Sequence, residues 1–284
     1  MAAVSLEGRD LLKMSDLVPT EVEGLLELAA ELKGDRTPRL PGRTLGMFFA
    51  QPSTRTRISF SVAIAQLGGT PVNLLPHEMQ LSRGESLEDT AAVLSRYLDA
   101  LVIRTLSHEE LEAWADAAEI PVVNALTSQE HPCQALADAL TIRERHGTLD
   151  GIRLAWVGDG TNVLVSLAEL AAMVGMEVVA ACPPGYEPAS DKVSVVRDPR
   201  EAARGADVLV TDIWVSLGQE PARAQRLRDL EPYRLDESLL ELASPEAVVL
   251  HCLPAHPGEE ITPGALYGAH TAVWVEAENR LHVQ

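Results

Sequence analysis

A pentapeptide rich in hydroxyl and guanidinium groups, Ser53-Thr54-Arg55-Thr56-Arg57, separates an apolar segment from an amphipathic one. Leu45 to Ala50 has the composition of a short buried strand, and Ile58 to Leu67 carries apolar side chains at helical spacing. The pentapeptide is therefore predicted to begin a helix directly after a strand. Helix N-termini favour anions, and arginine offers paired donors that match phosphate oxygens. The alternative interpretation is an ordinary Ser/Thr helix cap beside two solvated arginines.

The rest of the chain alternates strands and helices, which is typical of α/β domains with parallel sheets. In the first half, further strands are predicted at Val72–Leu75, Ala100–Ile103 and Val122–Val123, and helices at Leu87–Leu98 and Glu109–Ala118. In the second half, strands are predicted at Arg153–Val157, Glu177–Ala181, Val208–Thr211 and Val248–Leu250, and a helix at Val163–Val174. We expect an α/β fold of two doubly wound domains, each with a central parallel sheet flanked by helices.

The predicted domain boundaries follow these two series. Residues 1–130 form the first domain, and residues 148–264 form the second. A connecting helix spans 131–147.

Charge and composition exclude several classes of protein. The 284 residues carry a formal net charge of -19, which argues against nucleic acid or an anionic membrane as a partner. The N-terminus lacks a basic region followed by an apolar run, so we expect a soluble cytoplasmic protein. Three cysteines, Cys133, Cys182 and Cys252, form no CxxC pair and suggest neither a disulfide framework nor a metal site.

Polar residues follow several predicted strands, at the end of the sheet where ligands bind in parallel α/β folds. Ser53 comes shortly after the first strand, Arg104 ends the third, Asp212 follows the Val208 strand, and His251-Cys252 follow the Val248 strand. Each of these residues alone is weak evidence for a binding site, because polar residues end most strands. Together they offer cations for an anion and a carboxylate for an amine.

Two short motifs have both a structural and a functional interpretation. His131-Pro132-Cys133-Gln134 places proline at the first position of the connecting helix, and His131 and Gln134 flank that helix start. A histidine there is usually structural, but imidazole and amide donors can also polarise a carbonyl oxygen. In His251-Cys252-Leu253-Pro254, the cysteine suits a buried apolar position and Leu-Pro suits a turn.

Five motifs in one order resemble the aspartate/ornithine carbamoyltransferase family. They are Ser53-Thr54-Arg55-Thr56-Arg57, Glu85-Ser86-Leu87-Glu88-Asp89-Thr90, His131-Pro132-Cys133-Gln134, Asp212-Ile213-Trp214-Val215-Ser216-Leu217-Gly218 and His251-Cys252-Leu253-Pro254. The last two point to ornithine rather than aspartate as acceptor. The resemblance implies transfer of a carbamoyl group from carbamoyl phosphate to the δ-amine of L-ornithine, giving L-citrulline and phosphate. It implies no metal and no organic cofactor.

The resemblance also implies a role for individual residues. It places a C-terminal helix at 265–284 back against the first domain, so that two interdomain helices join the domains. The first domain and the C-terminal segment would bind carbamoyl phosphate, and residues 148–264 would bind ornithine. The implied carbamoyl phosphate ligands are Ser53, Thr54, Arg55, Thr56, Arg57, Gln80, Arg104, His131, Gln134, Cys252, Leu253 and Arg280. The implied catalytic residues among them are Arg55, Arg104, His131, Gln134 and Cys252. The implied ornithine ligands are Asn162, Asp212, Ser216 and Leu217.

The assembly implied by the resemblance is a homotrimer, or a larger assembly of trimers, in which Gln80 completes the site of a neighbouring subunit. Three positions depart from the family pattern. Gln51 stands where lysine is frequent, Thr161 stands where the first of two asparagines is common, and Leu217 stands where methionine is usual. The first departure removes a positive charge beside the phosphate.

Two rival functions are weighed against this one. A sister enzyme that carbamoylates putrescine or an N-acylated ornithine is disfavoured by Asp212 and Ser216, which suit free α-amino and α-carboxylate groups. A dinucleotide-dependent dehydrogenase is suggested only by Gly158 and Gly160 after a strand. The third glycine position of that fingerprint is Val163, and no acidic residue ends the next strand.

Overall fold

A computed structural model of the chain describes residues 6–35, 37–216 and 218–284. The chain divides into two units. The first comprises Met1–Leu136 and Arg280–Gln284, and the second comprises Ala137–Asn279. Among the described residues, no helix is both long enough and apolar enough to span a membrane.

The first unit is built on a parallel four-stranded sheet of order β2-β1-β3-β4. Its strands are β1 (Thr44–Phe49), β2 (Thr70–Leu74), β3 (Ala100–Arg104) and β4 (Val122–Leu126). Its helices are α1 (Pro19–Gly34), α2 (Arg55–Gln66), α3 (Leu87–Leu94), α4 (His108–Ala117) and the first residues of α5 (Pro132–His146), with 3-10 turns at Met14–Asp16 and Gln80–Arg83.

Both faces of this sheet are covered by packed side chains. Successive side chains of a strand point to opposite sides, so each strand contributes to both faces. Phe48 and Ile103 pack on one side with Leu111 and Trp114 of α4. Met47, Phe49 and Val102 pack on the other with Phe60 of α2. Because both faces are covered, the loops at the carboxyl ends of its strands are where a ligand can bind.

The second unit contains a parallel five-stranded sheet of order β7-β6-β5-β8-β9. The strands are β5 (Arg153–Val157), β6 (Glu177–Ala181), β7 (Ser194–Val196), β8 (Val208–Thr211) and β9 (Val248–His251). The helices are the rest of α5, then α6 (Asn162–Val174), α7 (Pro199–Ala203), α8 (Arg223–Leu230), α9 (Glu237–Leu240), α10 (Pro263–Tyr267) and α11 (Val273–Val283), whose residues from Arg280 onward belong to the first unit. Single 3-10 turns occur at Glu220–Ala222 and Glu231–Tyr233.

The predicted fold class is confirmed. All eight predicted strands exist within two residues of their expected starts, and α2 begins inside the pentapeptide. Ser86 and Ser107 accept hydrogen bonds from the backbone N–H groups of Asp89 and Glu110, as helix caps do.

Two expectations about elements need correction. The segment 265–284 contains parts of two helices rather than one, since α10 ends at Tyr267, where Gly268 takes an extended conformation. The edge strand β7 was not expected, because three half-exposed residues carry too short a pattern to be read as a strand.

Candidate active site

The carboxyl edge of the first sheet brings three distant segments together. The pentapeptide follows β1, Arg104 ends β3, and His131 lies between β4 and α5. Since β1 and β3 are neighbours, Phe49 lies opposite Arg104, and the Nη1 atom of Arg104 lies 3.5 Å from the Ser53 hydroxyl. Parallel pairing thus gathers these polar side chains at the edge where ligands bind.

Arg280 joins this cluster from the end of the chain. Its guanidinium donates to the Thr56 hydroxyl at 2.7 Å and to the Gln134 side-chain oxygen at 3.0 Å. All three side chains are buried. One cation therefore ties the first turn of α2 to the first turn of α5, and the bond to Gln134 fixes which end of that amide is oxygen.

Charge in this cluster is positive, and His131 is held neutral. Burial lowers the pKa of His131 well below its ordinary range, and the nearby Arg280 and Arg104 lower it further. The Arg57 guanidinium lies 5.2 Å from the centre of the Phe49 ring. Arg55 and Thr54 are exposed at the start of α2. The arrangement can attract an anion and offer it backbone and guanidinium donors.

The second sheet builds a different cluster, centred on Asp212. Because β5, β8 and β9 are neighbours, the residues that follow these strands meet at one edge. Oδ1 of Asp212 accepts from the backbone N–H of Ile213 at 2.7 Å and from the Cys252 thiol at 3.1 Å. Oδ2 accepts from the Thr161 hydroxyl at 3.0 Å. Among the described residues, no lysine or arginine pairs with Asp212, so this carboxylate can receive a cationic group.

Cys252 serves as a donor rather than as a thiolate. Desolvation raises the pKa of its thiol well above the ordinary range, and the negative charges of Asp212 and Glu276 raise it further. The next residue, Leu253, has a left-handed backbone with φ of 57°, and its N–H donates to Nδ1 of His251 at 3.0 Å.

Asp212, His251 and Cys252 place potential metal ligand atoms within 4.8 Å of one another. Both ring nitrogens of His251 already have partners. Nδ1 accepts from Leu253, and Nε2 faces Oε1 of the buried Glu260 at 3.2 Å. The bonds of His251 therefore favour a structural role over metal binding.

The glycines that follow β5 have structural causes. A side chain at Gly160 would meet the backbone nitrogen of Pro188 at 2.3 Å, and Gly158 has a φ of +123° against Trp214. Between them, the Asp159 carboxylate pairs with Arg226, whose Nε also donates to the Trp214 carbonyl at 2.6 Å. This turn is thus shaped by packing with its own unit, which explains the two glycines without a dinucleotide.

The remaining predicted ligands lie in three places. Gln80 is exposed on the 3-10 turn Gln80–Arg83. Asn162 is the first residue of α6, and the Ser216 backbone N–H donates to the Gln219 side chain at 3.0 Å. Leu217 lies outside the described residues.

Sequence reasoning missed three charged residues of the second unit. Arg226 holds the loop that carries Asp212, Glu260 faces His251, and Glu276 accepts from the His251 backbone N–H at 2.8 Å. Glu276 and Glu260 are fully buried, at 1% and 0% exposure. No local pattern distinguishes them from surface charges, because their partners come from other segments.

Comparison with known proteins gives consistent results. Residues 9–144 match the family "Aspartate/ornithine carbamoyltransferase, carbamoyl-P binding domain", and residues 150–284 match "Aspartate/ornithine carbamoyltransferase, Asp/Orn binding domain". The chain is 51% identical to a protein of Carboxydothermus hydrogenoformans named ornithine carbamoyltransferase, over 99% of this chain and 96% of the relative.

Solved structures agree with that match. Ornithine carbamoyltransferase from Pyrococcus furiosus is 42% identical with a TM-score of 0.94, covering 99% of this chain and 96% of its own. An anabolic ornithine carbamoyltransferase from Campylobacter jejuni is 34% identical with a TM-score of 0.91, covering 97% and 96%.

Proposed function

The chain belongs to the aspartate/ornithine carbamoyltransferase family, and from that premise we propose that it transfers the carbamoyl group of carbamoyl phosphate to the δ-amino group of L-ornithine. The products are L-citrulline and phosphate. The observation that carries the choice of an acceptor with a free α-ammonium, over an N-acylated ornithine, is the Asp212 carboxylate, which neutral donors hold and which no cation of the described residues neutralises. Such a group matches the α-ammonium of an amino acid.

The first unit supplies the carbamoyl phosphate ligands in this proposal. The phosphate lies at the start of α2, where Ser53, Thr54, Arg55, Thr56 and Arg57 offer hydroxyl, guanidinium and backbone donors. Arg280 and Arg104 add positive charge, and their positions beside Thr56 and Ser53 support that role. Because His131 is neutral, its imidazole and the Gln134 amide polarise the carbamoyl oxygen without repelling the arginines.

The second unit supplies the ornithine ligands. Asp212 takes the α-ammonium, and Asn162, Ser216 and the backbone around Leu217 take the α-carboxylate. Asn162 is suited to this because it lies at the N-terminus of α6, where a helix dipole favours an anion. Cys252 and Leu253 border the carbamoyl group, and the thiol of Cys252 remains protonated.

The reaction is a displacement at the carbamoyl carbon. The deprotonated δ-amine forms a bond to that carbon, and the C=O electrons move onto oxygen to give a tetrahedral intermediate. The intermediate collapses as the bond to phosphate breaks, and phosphate leaves with that electron pair and takes a proton from the attacking nitrogen. Arg55 and Arg104 stabilise the charge that develops on the oxygens, so catalysis rests on positioning and electrostatics. This chemistry needs no cofactor.

We also propose a homotrimer, or an assembly of trimers, in which Gln80 completes a neighbour's site. Gln80 is exposed, and the first unit exposes apolar side chains that an interface could cover, namely Ile58, Val93 and Tyr97. A biosynthetic direction is supported by the similar enzyme of Campylobacter jejuni, whose title calls it anabolic. Three free cysteines suit a reducing cytoplasm.

The test measures the ureido product formed from carbamoyl phosphate by the purified protein, with ornithine, N-acetylornithine, putrescine and aspartate offered in parallel and no metal or nucleotide added. Turnover with ornithine alone is expected. Preference for another amine would overturn the roles of Asp212 and Ser216 but keep those of the first unit. Absence of product with all four acceptors would overturn the proposed function.

A further inference from the structure

Thr161 forms a contact that its place in the fold does not require. It is the N-cap of α6, where a threonine hydroxyl normally accepts a hydrogen bond from the helix backbone. Its side chain accepts none, and the hydroxyl instead donates to Oδ2 of Asp212 at 3.0 Å. The side chain therefore serves another strand end rather than its own helix.

From this contact we infer that Thr161 is a positioning residue for the acceptor substrate, an inference that rests on the proposed function. Oδ1 of Asp212 is fixed by Ile213 and Cys252. Among the hydrogen bonds of the described residues, Oδ2 receives a donor only from Thr161. Thr161 thus completes the set of donors that fixes the rotation of the carboxylate about its last bond, and it is the donor that orients the oxygen left for an ammonium group.

The chemistry of the donors supports this role. A hydroxyl, a thiol and an amide N–H each orient the carboxylate without cancelling its charge. A cation in the place of Thr161 would compete with the ammonium of the substrate. Threonine also has a branched β-carbon, so its χ1 is stiffer than that of serine and the hydroxyl is held in place.

Thr262 provides a matched control within the same unit. It is the N-cap of α10, and its hydroxyl accepts from the backbone N–H of Ala265 at 3.2 Å, as a helix cap does, while it donates to Oε2 of Glu237 at 2.9 Å. Both threonines therefore donate to a carboxylate, but Thr262 also caps its own helix and its carboxylate is not the one assigned to the acceptor. Replacement by valine keeps the shape of the side chain and removes the hydroxyl in both.

The experiment compares Thr161→Val, Thr161→Ser and Thr262→Val in the full-length enzyme. We expect Thr161→Val to raise the KM for ornithine about tenfold, the loss of one hydrogen bond to a charged group. Its KM for carbamoyl phosphate should stay unchanged, and its Tm should fall by about 2–4 °C because Oδ2 of the buried Asp212 loses its donor. Thr161→Ser should restore most of the ornithine affinity. Thr262→Val should lower Tm by about 2–4 °C and leave the ornithine KM unchanged.

A second readout uses 5-aminopentanoate, which is ornithine without its α-ammonium group. Thr161→Val should lower kcat/KM for ornithine but not for this analogue, so the preference for ornithine falls about tenfold, in line with the lost hydrogen bond. Citrulline formation by the unaltered enzyme, together with an unchanged ornithine KM in Thr161→Val, would overturn the role of Thr161 alone. No citrulline from the unaltered enzyme would overturn the proposed function, and this inference with it.

Discussion

Replacement of Arg280 by methionine probes the cluster at the edge of the first sheet. Methionine fills the volume of the arginine stem but removes the donors to Thr56 and Gln134. The Gln134 side chain is completely buried, so its oxygen cannot find water instead. We expect both folding and anion binding to suffer.

The size of the folding effect follows from these contacts. A buried acceptor that loses its donor costs about 1–3 kcal/mol. The Thr56 hydroxyl can rotate to another partner, and removal of a desolvated cation offsets part of the loss. The free energy of unfolding should therefore fall by about 2 kcal/mol. The KM for carbamoyl phosphate should rise roughly 10–100-fold, because charged hydrogen bonds contribute about 1.5–3 kcal/mol.

Urea denaturation measures the first effect and steady-state kinetics the second. Arg96→Met is the control, since Arg96 pairs with Glu119 at 2.8 Å on the surface of the same unit and should contribute at most about 1 kcal/mol. Inorganic phosphate should raise the Tm of the unaltered enzyme and of Arg96→Met, but raise that of Arg280→Met much less. Equal stability of the two variants, with an unchanged KM for carbamoyl phosphate, would refute the reasoning.

Three further variants test the electrostatics. The pKa of the Cys252 thiol is raised, and Asp212 contributes to that rise. Iodoacetamide should therefore alkylate Cys252 at pH 8 far more slowly than a free thiol, and Asp212→Asn should speed the reaction. Mass spectrometry would measure the rate of alkylation, and a rate equal to that of glutathione would contradict the raised pKa. Burial raises the pKa of Asp159 from 3.8 to about 6. The folded state therefore binds this proton more tightly than the unfolded state, and the free energy of unfolding falls as the pH rises from the unfolded pKa to the folded pKa. Relative to Asp159→Asn, the unaltered protein should thus lose on the order of 3 kcal/mol of unfolding free energy between about pH 4 and pH 7, and a pH-independent difference in urea denaturation would refute this. Gln51→Lys should lower the KM for carbamoyl phosphate about threefold or more at low ionic strength and less at high salt. An unchanged KM in this variant at both salt concentrations would show that position 51 lies too far from the phosphate to affect binding.

The sequence was sufficient for the fold because each unit is built from short apolar strands with clear helical segments between them. The strands β1, β3, β5 and β8 are buried on both faces, so each appears as a continuous apolar run. The edge strand β7 and the short helices α7 and α9 lack such a run. Their formation depends on tertiary contacts that no local pattern records.

The contacts between distant segments were beyond sequence reasoning. Thr161 and Asp212 are 51 residues apart and meet only because β5 and β8 are neighbours in the sheet. Arg280 and Thr56 are 224 residues apart and meet because the end of the chain returns to the first unit. A motif can show which residue types a site needs, but the hydrogen-bond partner that orients each one depends on strand order.

Under the proposed function, opposite charges in the two units give each substrate a binding region of its own. Although the chain carries a net charge of -19, the cluster of the first unit contains Arg104 and Arg280 around a neutral histidine. The cluster of the second unit contains Asp159 and Asp212, and its nearby arginine, Arg226, is committed to Asp159 and the Trp214 carbonyl. A phosphate dianion is therefore repelled by the second cluster, and an α-ammonium is repelled by the first. Residues that follow adjacent parallel strands are held together within each sheet. In this proposal, each sheet therefore gathers groups of one charge at its strand ends, and this gives selectivity for two substrates of opposite charge.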